Sequence, residues 1–324
     1  MVTRPVRAMI GADVMTHRGL HDMLEQNHLR GLWQLPPDAI PSTPTPVTEA
    51  WHWAGDDVIP LAHEAGRISV ADDRRALLLT NPALRPSPFT TTTLQAAIQS
   101  LPSGATVSAN RHTPSSLRFV LSGGGSYRTA DGVDHALAPG DLILTPNWSW
   151  HEYANHSDEP MLWFDGLDFP VAARLESAVF DDRPSVQMPN RTGSGPLHRP
   201  WAVTDRLLTE LDTDPSGLAS VQFTDPITGG VIALTFDCWM HRMGPRLRAP
   251  ATRKTGNSIF VVLSGGGVTT LGDKAFAWAA GDIFVAPSWL PVRHRPAEVS
   301  NLLEMSDRPI LQSLGLYREE TLGA

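Results

Sequence analysis

Residues 115–125 read SSLRFVLSGGG and residues 257–267 read NSIFVVLSGGG, so the two stretches align without a gap and share VLSGGG. A second pair of blocks, PGDLILTPNW at 139–148 and AGDIFVAPSW at 280–289, recurs in the same order. The offsets are 142 and 141 residues, so one residue is lost between the blocks. Matching blocks in the same order at nearly constant spacing indicate an internal duplication.

Each copy is built from short strands separated by Gly, Pro and Asp. In the first copy the segments of strand length are LRFVLSG, GSYRTA, DHALAPGD, LILTP and MLWFDG, and Asp131–Gly132 is a hairpin turn. Many short strands with frequent turn residues are typical of a β-sandwich or barrel. The predicted fold is all-β, with two tandem jelly-roll β-barrels that follow a helical and extended arm.

The remaining segments predict the domain organisation. Apolar residues at helical spacing over 15–33 predict an amphipathic helix, and the Pro-rich stretch after it predicts an extended arm. Residues 74–79 are helix or strand, and residues 170–179 and 201–211 are predicted to be helical. The predicted domains are an N-terminal helix and arm at 1–90, a first barrel at 91–170, a helical linker at 171–217 and a second barrel at 218–324.

Composition excludes several classes of protein. The formal charge of −8 argues against nucleic acid as the main partner, because phosphate binding depends on Lys and Arg. The only cysteine, Cys238, excludes an intrachain disulfide and a cysteine-rich zinc site, and its apolar neighbours predict a buried side chain. No segment has the apolar length of a membrane helix, and the first residues lack a signal-peptide core. These features predict a cytoplasmic enzyme or binding protein with no nucleic-acid or membrane partner.

Asn110, His112 and His151 form a candidate metal site in the first copy. Positions 110 and 112 of one strand point to the same side, so His151 from a later strand can meet them inside the barrel. Two imidazoles and a third ligand leave coordination positions open, which suits Fe(II), with another divalent ion as the alternative. Asn110 either ligates the metal or only hydrogen-bonds a metal-bound water. The surrounding residues follow the two-part cupin signature, with Ser116 in place of its usual acid: Gly104, Asn110, Arg111 and His112, then Gly140, Pro146, His151 and Asn155.

The second copy lacks these ligands. Aligning the repeated blocks puts Thr252 and Lys254 opposite the first two ligand positions and Val292 opposite the third. A lysine in a ligand position repels a cation. The second barrel is therefore predicted to be metal-free and to serve in packing and assembly.

The quoted blocks resemble the gentisate 1,2-dioxygenase family of ring-cleaving bicupins, which includes salicylate and hydroxynaphthoate cleavers. The matching blocks are, in order, GLWQLP, DDRRALLLTNPAL, LQAAIQSLPSG, RHTPSSLRFVLSG, PGDLILTPNWSWHEYANHSDEP, WFDGLDFP and LGLYREE. The resemblance implies an Fe(II) site of three histidines in the first barrel, at the positions of Asn110, His112 and His151. Asn110 is therefore a departure from the family.

The resemblance also implies a substrate pocket. Four pocket residues match the family and a fifth, Tyr153, replaces a family histidine; the four are Arg74, Gln99, Arg118 and Asp165. Arg118 either holds a substrate carboxylate through charge-assisted hydrogen bonds or pairs with Asp165. Arg74 and its neighbour Arg75 are equal candidates to point inward. Tyr153 can donate a proton but is a poor base at neutral pH, because the usual pKa of tyrosine is about 10.

The predicted function is an Fe(II)-dependent dioxygenase, extradiol-type or gentisate-like, that uses O2 to open the ring of a hydroxylated aromatic carboxylic acid. Tyr153 and Asp165 are the candidate catalytic residues. Two alternatives stay open: a non-oxidative metal-dependent cupin enzyme (an isomerase, lyase or decarboxylase) and a non-catalytic bicupin that binds an aromatic acid. The extended arm favours a homo-oligomer, either a dimer or a tetramer.

Overall fold

The computed structural model describes residues 17–68, 75–129, 134–182, 197–211, 217–225 and 228–323. Met1–Pro44 and Thr45–Ala324 are two compact units, and α1 belongs to the first. The predicted helix at 15–33 is confirmed over a shorter range, the one at 201–211 is confirmed in full, and the one at 170–179 ends at residue 174. No helix in the described ranges is long and apolar enough to cross a membrane. The helices are α1 (His17–Gln26), α2 (Gly55–Arg67), α3 (Phe169–Arg174), α4 (Trp201–Leu211) and α5 (Arg308–Ser313).

The first barrel consists of two antiparallel sheets. Its strands follow β1 in the chain, and the bounds are β1 (Trp51–Trp53), β2 (Ala76–Leu78), β3 (Gln95–Leu101), β4 (Thr106–His112), β5 (Ser116–Ser122), β6 (Gly125–Thr129), β7 (Asp134–Leu137), β8 (Leu142–Thr145), β9 (His151–Ala154), β10 (Met161–Leu167), β11 (Phe180–Asp181) and β12 (Leu197–Arg199). One sheet has the order β12-β8-β5-β10-β3-β2 and the other β11-β4-β9-β6-β7. All five stretches predicted as strands contain strands of this barrel.

The second barrel repeats this arrangement. Its strands are β13 (Leu218–Gln222), β14 (Asp237–Met243), β15 (Thr252–Lys254), β16 (Ser258–Ser264), β17 (Gly266–Leu271), β18 (Lys274–Ala279), β19 (Ile283–Ala286), β20 (Val292–Pro296), β21 (Ser300–Ser306) and β22 (Glu319–Thr321). The sheets have the orders β1-β19-β16-β21-β14-β13 and β18-β17-β20-β15-β22. The same strand order in both halves, including the place of each repeated block, confirms the predicted duplication and the all-β fold with two jelly-roll barrels.

Residues 45–68 and 75–78 reach both barrels, although the sequence predicted only part of an arm here. Strand β1 pairs antiparallel with β19 of the second barrel. Helix α2 lies against β3 of the first barrel, where His63 Nδ1 is 3.0 Å from Ser100 Oγ. Strand β2 then pairs with β3.

The Gly-Asp pair in each repeated block ties an edge strand to its sheet. Asp141 lies 2.9 Å from His198 Nε2 on β12 and accepts a hydrogen bond from the backbone N–H of Trp201, which begins α4. Asp282 does the same with His52 Nε2 on β1, at 2.8 Å, and with the N–H of Gly55, which begins α2. The repeated aspartates are therefore structural.

The glycines in VLSGGG are required by backbone geometry. Gly123 and Gly265 have φ of +73° and +85°, which is the left-handed region that favours glycine. A Cβ atom at Gly123 would lie 2.2 Å from the carbonyl oxygen of Pro160, and one at Gly265 would lie 2.3 Å from Ser300 Oγ. The identity of the two blocks thus reflects the same tight approach of two chain segments in each barrel.

Apolar residues are buried in three clusters. One lies in the first barrel, another lies in the second, and the largest contains residues from both six-stranded sheets. Cys238 belongs to the largest cluster and is fully buried, as predicted, and burial raises the pKa of its thiol well above the usual value. The largest apolar cluster therefore lies between the barrels, and each barrel interior combines apolar residues with the polar side chains described next.

Candidate metal and substrate site

The three predicted ligand positions lie together inside the first barrel. Strand β4 ends at His112 and strand β9 begins at His151, and Asn110 pairs in register with His151. The ring centroids of His112 and His151 are 5.1 Å apart, with planes at 77°. All three side chains are buried, and His151 has no exposed surface.

Hydrogen bonds to the backbone set the tautomers of both histidines. Nδ1 of His112 is 2.6 Å from the Pro114 carbonyl oxygen, and Nδ1 of His151 is 3.0 Å from the Ser149 carbonyl oxygen. Because a carbonyl only accepts, each ring donates from Nδ1 and keeps its lone pair on Nε2. Nε2 of His151 is buried and has no hydrogen-bond partner among the described residues. An orphaned buried acceptor whose ring is held from the other side is the arrangement of a metal-binding histidine.

Electrostatics keep both rings neutral. Burial, assisted by the charge of Arg118, lowers the pKa of His112 to about 4. Burial, together with His112 and Arg118, lowers the pKa of His151 well below its usual value. Neutral imidazole is the form that binds a metal ion, so these residues fit one.

Asn110 supplies the third polar group. Its Nδ2 donates to the Ser108 carbonyl oxygen at 2.9 Å, and this contact identifies the amide nitrogen because a carbonyl cannot donate. The amide oxygen is left for another partner. The described residues contain no group of three or more His, Cys, Asp or Glu that could hold a metal ion. A metal held by His112 and His151 therefore needs the Asn110 oxygen or ligands from outside the protein.

Arg118 lies on β5 next to these rings and has two protein partners. Its Nη1 donates to Tyr153 Oη at 2.6 Å, and its Nη2 forms an ion pair with Asp165 Oδ2 at 3.3 Å. The guanidinium carbon is 4.2 Å from the centroid of the Tyr153 ring and 5.7 Å from that of Trp163. The structure thus contains the Arg118–Asp165 pair that the sequence analysis considered as the alternative to substrate binding.

This cluster also has unused hydrogen-bonding atoms. Arg118 Nε and Asp165 Oδ1 are buried and have no partner among the described residues. Burial lowers the pKa of Arg118, but Asp165 and Tyr153 outweigh it, so the guanidinium stays charged. Burial raises the pKa of Asp165 against the opposing effect of Arg118. A ligand with a carboxylate or hydroxyl group can satisfy these atoms.

Tyr153 is held as a neutral phenol. Burial raises its pKa above the usual value, and the charge of Arg118 and the hydrogen bonds with Thr145 and Arg118 only partly offset that effect. Its ring packs beside Tyr127 at 4.9 Å and Trp163 at 5.4 Å between centroids. Tyr153 is therefore a proton donor and not a base.

Gln99 and Arg74 are the other two predicted pocket residues. Gln99 is buried on β3 and pairs in register with Trp163. Because side chains alternate along a strand, Gln99 lies on the same face of the sheet as Trp163 and Asp165. Arg74 lies outside the described residues.

Two residues near the site were missed by sequence reasoning. The Phe180 ring stacks on His112, with centroids 6.3 Å apart and planes at 17°. Asp181 pairs with Arg111 at 2.9 Å, and the Arg111 guanidinium lies 4.3 Å from the centroid of the Trp148 ring. Both residues form β11, a two-residue strand in a segment predicted as linker, and no local pattern marks it.

The second barrel has different residues at the matching places. Thr252 pairs in register with Val292, just as Asn110 pairs with His151. Lys254 Nζ is 2.5 Å from Glu304 Oε1. The sequence alignment of the two barrels is thus reproduced by the strand register, with an ammonium group in the place of His112.

Comparison with known proteins gives consistent matches. The Cupin domain family model matches residues 97–167. A gentisate 1,2-dioxygenase of a Streptomyces species is 34% identical over 94% of this chain and 96% of its own length. A 5-aminosalicylate 1,2-dioxygenase of a Comamonas species is 28% identical over 94% of this chain and 90% of its own. The crystal structure of a salicylate 1,2-dioxygenase from Pseudaminobacter salicylatoxidans has a TM-score of 0.86 at 28% identity, over 96% of this chain and 99% of that one. These matches confirm the predicted resemblance and the bicupin fold.

Proposed function

The chain belongs to the gentisate 1,2-dioxygenase family, and on that premise we propose that it is an Fe(II)-dependent enzyme that uses O2 to open the ring of a 2-hydroxybenzoate. The relatives are oxidoreductases whose names share this substrate core, since gentisate, salicylate and 5-aminosalicylate are all 2-hydroxybenzoates. The observation that carries the proposal is the pair of neutral imidazoles, with the orphaned Nε2 of His151, beside the buried Arg118 guanidinium. We also propose that the ring opens between the two carbons that carry the carboxylate and the hydroxyl, by an extradiol-type or gentisate-like cleavage.

His112 and His151 would hold the metal through Nε2. Asn110 would either complete the protein ligands through its amide oxygen or accept a hydrogen bond from a metal-bound water. Fe(II), when bound, supplies the transfer of electron density from the aromatic ring to O2. In the second case two protein ligands would leave more of the coordination shell for substrate and O2 than a three-histidine site leaves.

Arg118 would bind the substrate carboxylate or phenolate oxygen. Its charge is buried, and a buried charge without a full set of partners strongly favours an anionic ligand. Asp165 and Tyr153 fix the guanidinium from one side, which orients the remaining N–H for the ligand. The rings of Tyr127, Tyr153 and Trp163 exclude water from that side of the pocket.

Tyr153 would hold a proton close to the substrate. Because burial raises its pKa, the phenol stays protonated at neutral pH and acts as a hydrogen-bond donor to a developing negative charge. Any step that needs a base must therefore use another group. The family resemblance implies a histidine at this position, so we expect the acid–base chemistry of this chain to differ from that of such a site.

Oxygen uptake tests the proposal. Protein loaded anaerobically with Fe(II) is mixed with O2 and with salicylate, gentisate, 5-aminosalicylate or benzoate. We expect one O2 consumed per ring lost for at least one 2-hydroxybenzoate and none for benzoate, which lacks the hydroxyl. The His151→Ala variant is the matched control and should neither retain iron nor consume O2. Binding of every 2-hydroxybenzoate without O2 uptake would contradict the proposal.

A non-oxidative metal-dependent reaction is the second candidate, and the substitution of a neutral amide for a third imidazole at position 110 favours it. Release of CO2 from the aromatic acid under anaerobic conditions, with no O2 consumed, would identify it. Binding without any turnover would identify the non-catalytic alternative. A homo-oligomer and a cytoplasmic location are further proposals, tested by light scattering and by fractionation of the host cell.

A further inference from the structure

The second barrel contains an open cavity of about 330 Å³ at the place where the first barrel has its candidate site. Its walls are apolar in part, with Phe260, Met243 and Val292 among the lining residues. Two charged pairs also line it, Lys254 with Glu304 and Arg308 with Asp237. A cavity of this kind, apolar with a few convergent polar groups, has the composition of a small-molecule site.

Strand register relates this cavity to the site in the first barrel. Arg118 pairs with Asp165 in the first barrel, and Phe260 pairs with Glu304 at the matching step of the second. Glu304 is thus the counterpart of Asp165, but its cation partner comes from Lys254, the counterpart of His112. The ammonium group of Lys254 therefore lies where the first barrel has the candidate metal ligand His112.

Glu304 accepts three hydrogen bonds, whereas Lys254 uses one of its donors. The carboxylate accepts hydrogen bonds from Lys254 Nζ at 2.5 Å, Ser258 Oγ at 2.7 Å and His241 Nε2 at 2.9 Å. Burial raises the pKa of Glu304, but Lys254 and His241 outweigh it and hold that pKa well below its usual range. An ammonium has three N–H groups, and Glu304 is the one partner of Lys254 within the described part of the chain. Two N–H groups are left on the cavity side.

His294 provides another donor in the cavity. Its Nδ1 is 2.7 Å from Thr269 Oγ1, which also accepts a hydrogen bond from Trp278 Nε1 at 2.9 Å. Among the described residues Nδ1 is the one acceptor in reach of the Thr269 hydroxyl hydrogen, so the hydroxyl donates to Nδ1 and the neutral ring carries its own hydrogen on Nε2. The His294 ring packs edge-on against Phe260, with centroids 5.0 Å apart. A ligand group at this place meets an N–H donor beside an aromatic face.

The far side of the cavity has an unused acceptor. Asp237 Oδ2 receives hydrogen bonds from the Arg308 guanidinium and from Trp239 Nε1, but its Oδ1 is buried without a partner among the described residues. The Trp239 ring is stacked parallel to His241. The cavity thus combines N–H donors, flat aromatic surface and one acceptor.

We propose that the cavity of the second barrel is a metal-independent binding site for a small aromatic monocarboxylate, with the carboxylate held by Lys254 and His294. The ammonium and the imidazole N–H donate to the two carboxylate oxygens, and the ring lies against Phe260 and the Trp239 side of the cavity. A hydroxyl on the ring can donate to Asp237 Oδ1. The site is separate from the ring-opening site and needs neither iron nor O2.

Calorimetric titration with benzoate tests this site in the full chain loaded with Fe(II) under anaerobic conditions. Benzoate carries the carboxylate and the ring and has no hydroxyl for ring opening. The variants are Val292→Phe, which fills the cavity, and Lys254→Gln/Glu304→Gln, which removes both charges together so that no buried charge is left alone. Arg118→Gln removes the cation of the first barrel and serves as the opposite control. Thermal unfolding confirms that each variant is folded.

We expect the wild type and Arg118→Gln each to bind one equivalent of benzoate in the second barrel. Val292→Phe should lack this equivalent. The charge-removed double variant should bind that equivalent at least about tenfold more weakly, a loss of about 1.4 kcal/mol. Ring-opening rates should be unchanged in both second-barrel variants. The proposal is overturned if Val292→Phe retains every equivalent, or if the double variant binds as tightly as the wild type. If instead the proposed function is wrong, the missing equivalent of benzoate is the one that depends on Arg118, and binding in the second barrel is unaffected.

Discussion

Replacing His294 with asparagine should make the stability of the protein less dependent on acid. The pKa of His294 is lowered to about 4, first by burial and then by the nearby His241. An unfolded histidine has a pKa of about 6.5. Between these values the unfolded chain binds a proton and the folded chain does not, so stability falls as pH decreases from about 6.5 towards about 4. Above about pH 6.5 this contribution is fully present.

The size of the effect follows from the same values. About pH 5 lies about 1.5 pH units below the pKa of the unfolded histidine. Protonation at that pH therefore stabilises the unfolded chain by about 2 kcal/mol. Asparagine retains an acceptor for the Thr269 hydroxyl but does not titrate. The variant is less stable than the wild type at neutral pH, yet its loss between about pH 7 and about pH 5 should be smaller by about 2 kcal/mol.

Urea unfolding at the two pH values measures this difference. His112 contributes an acid dependence of the same sign, but it is present in both proteins and cancels in the comparison. His156→Asn is the matched control, because it removes an imidazole that folding leaves exposed to water. Equal losses of stability in the wild type and in His294→Asn would refute the reasoning.

Three further substitutions test the site and the fold. Asn110→His should slow the loss of Fe(II) to a chelator, and an unchanged rate would show that residue 110 does not contact the metal. Tyr153→Phe leaves Arg118 Nη1 without its 2.6 Å partner and should lower the unfolding free energy by about 1–3 kcal/mol; a neutral result in urea unfolding contradicts the described hydrogen bond. Gly123→Ala should destabilise by more than Gly104→Ala, because φ is similar, at +73° and +71°, while a Cβ atom meets the Pro160 carbonyl at 2.2 Å only in the first case.

Much of the fold follows from local patterns in the sequence. The repeated blocks lie on β5 and β8 in one barrel and on β16 and β19 in the other. Their nearly constant spacing therefore indicates equivalent strands. Strands such as β11 and β1 could not be found in this way. Each has two or three residues and exists only because of pairing with a strand that is distant along the chain.

The sequence proposes the residues of the candidate site but not all of the contacts among them. The spacing of the cupin signature proposes His112 and His151, and the family resemblance proposes Arg118 and Tyr153. The sequence left the partner of Arg118 open between a substrate and Asp165, and it did not indicate that the same guanidinium also contacts Tyr153, because these side chains come from three different strands. The donors of the second barrel were missed for a similar reason, since Lys254 reads as the loss of a ligand until Glu304 is placed beside it.

The pairing of β1 with β19 has a consequence for how such a chain can be divided. In each repeat the leading edge strand completes a sheet of the other repeat: β1 of the first repeat joins the second barrel, and β12 before α4 joins the first. The helix that follows each edge strand stays on its own barrel. The molecule is therefore arranged like a dimer of single barrels that have swapped their first strands and then been fused end to end. A half expressed alone would have an open sheet edge, and that edge would pair with a second copy or aggregate.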